Sequence, residues 1–361
     1  MSVPTVKFNT QEKKEFFDEL KKRVDAYFTD NNISKNANLN MKLKTAFMLL
    51  LQFVPLVILL TNTVHNTAAI LSLWGLMGFG TAGIGLSIMH DANHGSYSKN
   101  KNTNTALGLL FNVIGSYYIN WKIQHNVLHH TYTNIEGFDE DIDTRVMRLS
   151  PKQERLWAHR FQAYYASFFY GIMTIYWLVS KDFEQLVKYN KLNLFKSQGV
   201  TYSRALFQII LTKVLYFSVV IGLPLLVTDM SVGVVLLGFF IMHFICGVTL
   251  SFIFQCAHVL EETEFFEAEK DHKQENSWAI HQLKTTANFA NKSRVFSWLI
   301  GGLNFQVEHH LFPNICHVHY RNIAPIIKKT AQEFELPYNE HHTFVGALNS
   351  HFSLLNHLGR A

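Results

Sequence analysis

The amino-acid sequence predicts an all-α integral membrane protein with four transmembrane helices in two hairpins and a cytoplasmic helical cap. Three observations predict this fold. Four stretches are long and apolar, although the mean hydropathy of the 361-residue chain is close to zero. Lysine and arginine concentrate outside the two pairs of apolar stretches. Histidines gather at three places, HDANH, HNVLHH and QVEHH, in the segments between and after the pairs.

The apolar stretches predict spans at about 45–63, 67–89, 205–227 and 232–257. A helix needs roughly 20 apolar residues to cross a bilayer. The core of the first stretch, AFMLLLQFVPLVILL, is shorter and contains Pro55, so it spans only if flanking Thr and Asn residues lie at the interface. A soluble protein with two buried helical hairpins is the alternative, although core helices seldom run this long without charge.

The distribution of basic residues predicts the orientation. The connectors TNTVHNT and TDMS hold no Lys or Arg, whereas the N-terminal 44 residues, the 91–204 segment and the C-terminal 100 residues carry nearly all of them. By the positive-inside bias, both termini and the middle segment are cytoplasmic. The chain then divides into an amphipathic segment, 1–44, and a membrane domain, 45–361, whose cytoplasmic cap comprises 90–204 and 258–361. The N-terminus has no apolar region typical of a signal peptide.

Two further segments are expected at the membrane interface. Residues 9–28 place apolar side chains on one helical face, with Asn9 or Thr10 as the cap. The sequence Ser-Pro-Lys-Gln at 150–153 predicts a helix start, with Ser as N-cap and Pro in the first turn. The following FQAYYASFFYGIMTIYWLV is aromatic-rich, as is typical of a headgroup boundary. A fifth span in this stretch stays open.

Charge and cysteine content exclude several classes of protein. The formal net charge is +5, but the sequence contains no Lys/Arg run typical of nucleic-acid binding. The excess therefore indicates membrane topology or docking of an acidic protein. Cys246, Cys256 and Cys316 form no CxxC and no even set, so neither a disulfide framework nor a zinc ribbon is expected.

The histidine clusters repeat helical spacings. Residues three or four apart lie on one face of a helix, one turn apart. The first cluster directly follows the second span, and His258 sits just beyond the fourth, so the groups emerge on one side of the membrane. A lone histidine is usually a satisfied polar residue. Paired and tripled clusters at one depth instead predict a metal site, from His90, His94, His125, His129, His130, His309 and His310.

The number of histidines helps to identify the metal that the site would bind. Zinc usually takes four ligands, so eight histidines are too many for one zinc site. Imidazole suits iron, copper and zinc alike, and this count fits two six-coordinate ions with open positions for oxygen. Soluble di-iron proteins use ExxH motifs. The ExxH at Glu269–His272 lies in a charged stretch and is interpreted as a coincidence. An all-histidine di-iron site is the better inference.

The boxes HDANH, HNVLHH and QVEHH resemble the three histidine boxes of the integral-membrane fatty acid desaturases, in order and in position around two hairpins. Gln306, in place of the first histidine of the third box, resembles the front-end desaturases of the Δ5/Δ6 type. The stretches HHTYTNIEGFDEDI, AHVLEETEF, TTANFA and GGLNFQVEHHLFPNICHVHY are similar to bacterial Δ6-type acyl-lipid enzymes. The resemblance covers about residues 80–345.

The resemblance implies an O2-dependent fatty acyl desaturase that introduces a cis double bond into an already unsaturated chain. Two iron ions, cycling between Fe2+ and Fe3+, would be the cofactor and O2 the co-substrate. The seven box histidines carry over as ligands, and His258 matches an additional family ligand. The acyl chain, linked to lipid, CoA or acyl-carrier protein, would lie in an apolar tunnel. Two alternatives are a related membrane di-iron hydroxylase, and a haem-binding electron carrier, which would need histidines inside the spans.

Ligating imidazoles need their other ring nitrogen fixed by a carboxylate or carbonyl. The candidates are Asp91, Asp139, Asp141 and Glu308, although 139–143 reads equally well as an acidic loop. Gln306 is expected near the metals, as a weak oxygen donor or as a support for a ligand. Asn288 is expected to support a metal ligand or to contact the substrate. His317 and His319 are expected to form hydrogen bonds or contact a lipid headgroup, and His243 to bond to a neighbouring helix. Surface positions are expected for His65, His159, His281 and the C-terminal histidines.

Many front-end desaturases carry a fused cytochrome b5 domain marked by an HPGG motif, which this sequence lacks. Electrons are therefore expected from a separate donor, a ferredoxin or a free cytochrome b5. The resemblance to bacterial enzymes implies a multi-pass protein of the bacterial inner membrane, in contact with membrane lipids and with its active site cytoplasmic. No nucleic-acid partner is expected.

Overall fold

The computed structural model describes residues 6–268 and 273–361. Its helices, in chain order, are α1 Lys14–Asp30, α2 Leu39–Leu60, α3 Thr67–Asn93, α4 Lys101–Gly108, α5 Leu110–Val113, α6 (118–132), α7 (162–191), α8 Leu194–Ser197, α9 Tyr202–Val227, α10 Val232–His258, α11 Trp278–Thr285, α12 Arg294–Leu299, α13 Gln306–Leu311, α14 Tyr320–Glu333 and α15 Phe344–Arg360. Short 3₁₀ turns, Trp157–Phe161 and His317–His319, precede α7 and α14. Two parallel pairs of short strands complete it: β1 Lys7–Phe8 with β2 Lys273–Gln274, and β3 Ala287–Phe289 with β4 Asn339–His341.

Within the described residues, four helices are long and apolar enough to cross a membrane, namely α2, α3, α9 and α10. They coincide with the four predicted spans and form the two predicted hairpins. α2 reaches 22 residues because it begins at Leu39, ahead of its apolar core, where the Asn38 side chain accepts a hydrogen bond from the Met41 amide. The predicted boundary between residues 44 and 45 therefore falls inside this helix.

Glycine lets α3 lie close to both of its neighbours. A Cβ at Gly80 would come within 2.6 Å of the Gln52 amide in α2, and one at Gly78 within 2.6 Å of the Met242 carbonyl in α10. No side chain fits at such distances. The glycine-rich composition of the second apolar stretch is thus explained by packing of backbone against backbone.

Wide π-helical turns occur where the histidine clusters begin. Ile84–Met89 forms one immediately before His90, and Lys122–His129 forms another inside α6. A π-helical turn inserts residues into an α-helix and shifts which side chains share a face; such turns are frequent at functional sites. The spacing of the clusters is therefore helical, as predicted, but not regular α-helix throughout.

The aromatic segment forms α7, which combines Gln162–Tyr176, a π-helical turn and Asp182–Lys191. It packs across α10, where a Cβ at Gly171 would meet the Phe244 ring at 2.2 Å. It is not among the four span-like helices of the described chain. The predicted start at 150–153 is wrong. The Gln153 Oε1 accepts hydrogen bonds from the Leu149 and Ser150 amides, but these bonds close a turn, and helical structure begins at Trp157.

The prediction that the N-terminal amphipathic helix lies at the membrane interface is wrong. The apolar face of α1 is not presented to a membrane but is buried in a core shared with α13 and α14. The Phe16 ring meets the Phe334 ring edge-on at 5.6 Å, and Arg23 pairs with Glu333 at 2.6 Å. The helix is preceded by Lys13, not capped by Asn9 or Thr10. An apolar stripe signals a partner, and periodicity does not tell a membrane from another helix.

Candidate metal centre

All eight histidines predicted as ligands lie together in one cluster. Four separate elements bring them there. α3 and the residue that follows it supply the first pair, α6 three, α10 one, and α13 two. Seven of the eight are buried, and the remaining one is half-buried: His90, His94, His125, His129, His130, His258, His309 and His310.

Several ring nitrogens face one another at close range. The His130 Nε2 lies 3.2 Å from that of His125 and 2.9 Å from that of His309, and the His90 Nε2 lies 3.2 Å from that of His125. A neutral imidazole has one donor and one acceptor nitrogen, so this convergence cannot be satisfied by mutual hydrogen bonds alone. Two imidazoles at right angles on one ion, each at about 2.1 Å, place their nitrogens about 3 Å apart. The spacing fits ligands that share ions.

Hydrogen bonds at the Nδ1 atoms orient a second group of histidines. The Nδ1 atoms of His129, His258 and His310 lie 3.1 Å from Asp139, 3.1 Å from the Thr285 carbonyl and 2.8 Å from Gln282 Oε1. Their Nε2 atoms are buried and have no hydrogen-bond partner among the described residues. In His258 and His310, a bonded Nδ1–H leaves the Nε2 lone pair free and turned inward, which is how proteins prepare a histidine for a metal.

The ligand atoms fall into two adjoining sets. Those of His90, His94, His125 and His309 lie within 4.8 Å of one another, as do those of His129, His258 and His310. His130 forms a third grouping with His309 and His310, and so links the two sets. The donor set fits two neighbouring metal ions held by imidazole.

Burial makes most of these histidines neutral. It lowers the pKa of each of the following well below the ordinary value, and the neighbouring histidines lower it further: His94, His125, His130, His309 and His310. A neutral imidazole is the form that binds a metal. The cluster is therefore ready to take up cations without first losing protons at these positions.

His129 differs from the others in charge. Burial lowers its pKa, but the carboxylates of Asp139 and Asp141 outweigh burial and raise the pKa to about 9. Before a metal binds, His129 is thus an imidazolium between two carboxylates. A metal ion at Nε2 takes the place of that proton.

The predicted supporting carboxylates divide into two groups. Asp139 bonds to His129 as predicted, and Asp141 lies 3.4 Å from the same ring and accepts a bond from Gln124. Asp91 instead bonds to His317 Nδ1 at 2.9 Å, and its oxygen is 3.9 Å from His90 Nδ1, too far for a hydrogen bond.

The prediction that Glu308 fixes the ring of a ligand histidine is wrong. Its carboxylate accepts hydrogen bonds from Asn288 at 2.8 Å and Tyr338 at 2.7 Å, not from a ligand histidine. It precedes His309 on α13, so its side chain leaves the helix on a different face. Burial raises the pKa of Glu308 to about 7 against these hydrogen bonds. Asn288 thus contacts box three through Glu308.

Gln306 lies beside His258 at the start of α13. It is fully buried, and neither atom of its side-chain amide has a hydrogen-bond partner within the described part of the chain. Leaving both atoms without partners costs free energy. Its position and unsatisfied oxygen keep it a candidate for weak metal contact.

Sequence reasoning missed the other groups that orient the ligands. Gln282 and the Thr285 carbonyl, both on α11, hold His310 and His258, and the Tyr320 hydroxyl lies 3.1 Å from His309 Nδ1. These groups lie on other helices than the histidines they contact, so helical spacing gives no signal for them. The Glu269–His272 motif lies outside the described residues.

Other histidines are placed by their bonds. His243 bonds to Tyr216 and Thr174 on neighbouring helices, as interpreted, and His317 and His319 are hydrogen-bonded, to Asp91 and the Asn36 carbonyl. The expectation of surface positions is wrong for three that are buried against backbone carbonyls: His159, His281 and His351.

A cavity of about 790 Å³ adjoins the histidines, and His90, His125, His129 and His258 form part of its wall. Its size is typical of small-molecule sites. One part of the lining is apolar and aromatic: Met89, Phe111, Ile114, Trp121, Phe169, Met173, Trp177, Leu250 and Phe254. Another part is charged: Glu140, Asp141, Asp143, Arg145, Lys181, Glu184 and Lys188. The cavity therefore suits a long apolar ligand with a polar end.

Proteins of known description are similar to this chain over most of its length. The family profile described as "Fatty acid desaturase" matches residues 66–342. An "sn-1 linoleoyl-lipid 6-desaturase" from Synechocystis sp. is 35% identical, covering 100% of this chain and 99% of the relative. One of the same description from Arthrospira platensis is 37% identical, over 94% of this chain and 91% of its own. An "Acyl-lipid (8-3)-desaturase" from Physcomitrium patens is 34% identical, over 98% of this chain and 74% of its own.

Proposed function

The chain belongs to the fatty acid desaturase family, and we propose that it inserts a cis double bond on the carboxyl side of an existing one in a lipid-linked acyl chain. The convergence of eight histidines beside a cavity with an apolar and aromatic part, whose wall four of them help to form, carries this proposal. The carrier and the front-end position follow the relatives, whose descriptions name lipid-linked acyl groups.

Two iron ions suit the histidine set, one held by His90, His94, His125 and His309, and the other by His129, His258 and His310, with His130 between them. When bound, iron supplies the O2-dependent removal of hydrogen from two adjacent methylene groups. Gln306 offers a further, weaker oxygen donor. Imidazole ligands are compatible with iron, and the absence of thiolates from these two sets makes structural zinc a poor match.

The other residues of the site bind and position the acyl chain. The methylene groups that react have no polar atoms for the protein to bind. Selectivity therefore depends on holding the acyl chain at a fixed position relative to the metal centre. The aromatic and aliphatic wall, which includes Trp121, Phe254 and Trp177, excludes water. The charged part, with Arg145 and Lys188, offers partners for the polar end of the substrate. The distance from that part to the histidines then determines which carbons react.

We further place both termini and the histidine centre on the cytoplasmic side of a bacterial inner membrane, following the distribution of Lys and Arg. In this orientation α1 and the other helices outside the spans face the cytoplasm. Two electrons per turnover come from a separate ferredoxin or cytochrome b5, and the net charge of +5 favours an acidic donor.

The test is mass spectrometry of total fatty acids, with localisation of double bonds, in a host that expresses the chain with a ferredoxin. The host is fed oleic, linoleic and α-linolenic acids. A new double bond on the carboxyl side of an existing one is the expected result. Hydroxy acids would select the hydroxylase alternative instead, and a new bond toward the methyl end would refute the front-end assignment.

Metal binding should depend on pH through one histidine. His129, with a pKa of about 9, carries a proton at pH 7 that a metal must displace, whereas the other box histidines with lowered pKa do not. Raising the pH therefore favours the metal. We expect the affinity of the metal-free protein for Co2+ to rise about tenfold per pH unit between about pH 6.5 and 8. Titration of the cobalt absorption measures it.

Asp139→Asn provides the matched comparison for this prediction. The variant removes the carboxylate that favours the His129 proton, so the dependence on pH should flatten. The affinity itself should fall by roughly 10- to 100-fold, as is usual when a group that orients a ligand is lost. An affinity of the unaltered protein that does not change with pH would contradict the assignment of His129 as a ligand.

The apolar part of the cavity should limit acyl chain length. Ile114 is a buried wall residue there, and Ile114→Phe enlarges its side chain. We expect turnover of long acyl chains to fall by roughly 10- to 100-fold while shorter chains are affected less and the new bond keeps its position from the carboxyl end. Fatty acid profiles measure both. Leu109→Phe is the control, since Leu109 is 41% exposed and does not line the cavity. Equal losses for both variants would refute this role.

A further inference from the structure

A basic concave pocket lies on the surface, separate from the histidine centre. It has a volume of about 400 Å³ and is lined by Arg155, Arg160, Phe161, Tyr164 and Arg360. Three of these five residues are arginines. The pocket forms where the end of α15 packs tightly against the segment before α7, since a Cβ at Gly359 would meet the His159 carbonyl at 2.1 Å.

The guanidinium groups of this pocket make few contacts with the described residues. Arg160 lies over the Phe161 ring at 4.7 Å, and Arg155 donates one long bond of 3.4 Å to the Gly359 carbonyl. Within residues 6–268 and 273–361, no carboxylate side chain pairs with Arg155, Arg160 or Arg360. The neighbouring Arg148 is different. It donates two hydrogen bonds to backbone oxygens at the end of α15, those of Leu358 and Ala361, and two to the carbonyls of Pro151 and Gln153. The pocket arginines therefore have donors to spare.

Beside the pocket, α7 and its preceding turn expose a stripe of large apolar side chains. Trp157 is 75% exposed, Tyr164 is 79% exposed, and Phe161 and Phe168 are also exposed. Phe161, Tyr164 and Phe168 are spaced by three and four residues and so lie on one helical face, and Trp157 lies in the 3₁₀ turn before them. Exposed Trp and Tyr are typical of the membrane–water interface, and a helix with this pattern lies in the plane of the headgroups. The arginines are then at the level of lipid phosphates.

We propose that this pocket binds the phosphate of an anionic glycerophospholipid at the membrane surface. Arg160 and Arg360 bond to the phosphate oxygens, for which the planar guanidinium fork is suited. The aromatic rim, with Tyr164 and Phe161, contacts the glycerol and the first acyl carbons. The apolar rim distinguishes a lipid from free phosphate, which has nothing to place there. The site is independent of the reaction at the histidines.

Lipid binding to the purified full chain in neutral detergent tests this proposal. Native mass spectrometry gives the affinity for phosphatidylglycerol and for phosphatidylcholine. We expect phosphatidylglycerol to bind more tightly, and the double variant R160Q/R360Q to weaken it by roughly thirtyfold, since each basic residue near an anionic lipid contributes about fivefold. Phosphatidylcholine binding should change little. The matched control K101Q/K329Q removes two exposed lysines elsewhere and should leave phosphatidylglycerol binding unchanged.

Three results would overturn the proposal. They are equal affinity of the unaltered protein for the two lipids, equal weakening by the arginine and lysine variants, and displacement of the lipid by inorganic phosphate at equal concentration, which would indicate a simple phosphate site. R160K/R360K keeps the charge and guards against a folding defect. It should retain the preference for phosphatidylglycerol but bind it more weakly than the unaltered protein.

Discussion

Replacing His129 with alanine should abolish desaturation while the four spans stay inserted in the membrane. His129 forms one proposed metal subsite with His258 and His310, and its ring is fixed by Asp139. Loss of one of three imidazoles from a subsite removes its ion. We expect turnover to fall below detection, a loss of at least about a thousandfold, and bound iron to fall from about two ions to about one per chain. Fatty acid analysis and elemental analysis of the purified protein measure the two effects.

Two further variants separate loss of metal from loss of fold. His129→Ala leaves the Asp139 carboxylate buried without its imidazole, which is itself destabilising. His310→Ala lacks this difficulty, because the partner of His310 is the neutral Gln282. It should lose activity and iron to the same degree. His342→Ala, at an exposed position, is the control and should keep both. Full activity in His129→Ala would contradict the ligand assignment.

The span-like helices and the clustering of the eight histidines could be predicted because each depends on local patterns. A helix that spans a bilayer must be long and apolar, and both properties can be read directly from the sequence. Clusters of histidine at helical spacing show which imidazoles share a face. The assignment to two subsites needed the structure, since it depends on how α6, α10 and α13 meet.

The wrong predictions have a common physical cause. The partner of a side chain comes from another part of the chain, so the local sequence does not identify it. The apolar face of α1 was expected at a membrane but is buried against α14. Glu308, adjacent to a ligand in sequence, bonds to Asn288 and Tyr338 from other elements. Conversely Gln282 orients His310 from a segment that carries no recognisable motif. Local periodicity predicts that a face is covered, and only the tertiary fold shows by what.

Breaking the ion pair between Asp182 and Lys213 should strongly destabilise the protein. Lys213 lies within the span α9, and its Nζ is 2.5 Å from the Asp182 carboxylate on α7. Both side chains are buried. The Lys213 Nζ also donates to the Gly115 carbonyl at 2.8 Å, and Asp182 accepts from the Tyr117 amide at 3.1 Å. The pair thus ties one hairpin to the segment that leads into the histidines of α6.

Asp182→Ala would leave the Lys213 ammonium unpaired inside the protein. Breaking a buried pair in this way typically costs about 3–5 kcal/mol. We expect a loss of that size in the free energy of unfolding, measured by denaturant titration in detergent, together with a fall in bound iron because Tyr117 precedes α6. The double variant D182L/K213M removes both charges and should recover most of the stability. If the double variant were as unstable as Asp182→Ala, the cost would come from lost packing and not from the buried charge.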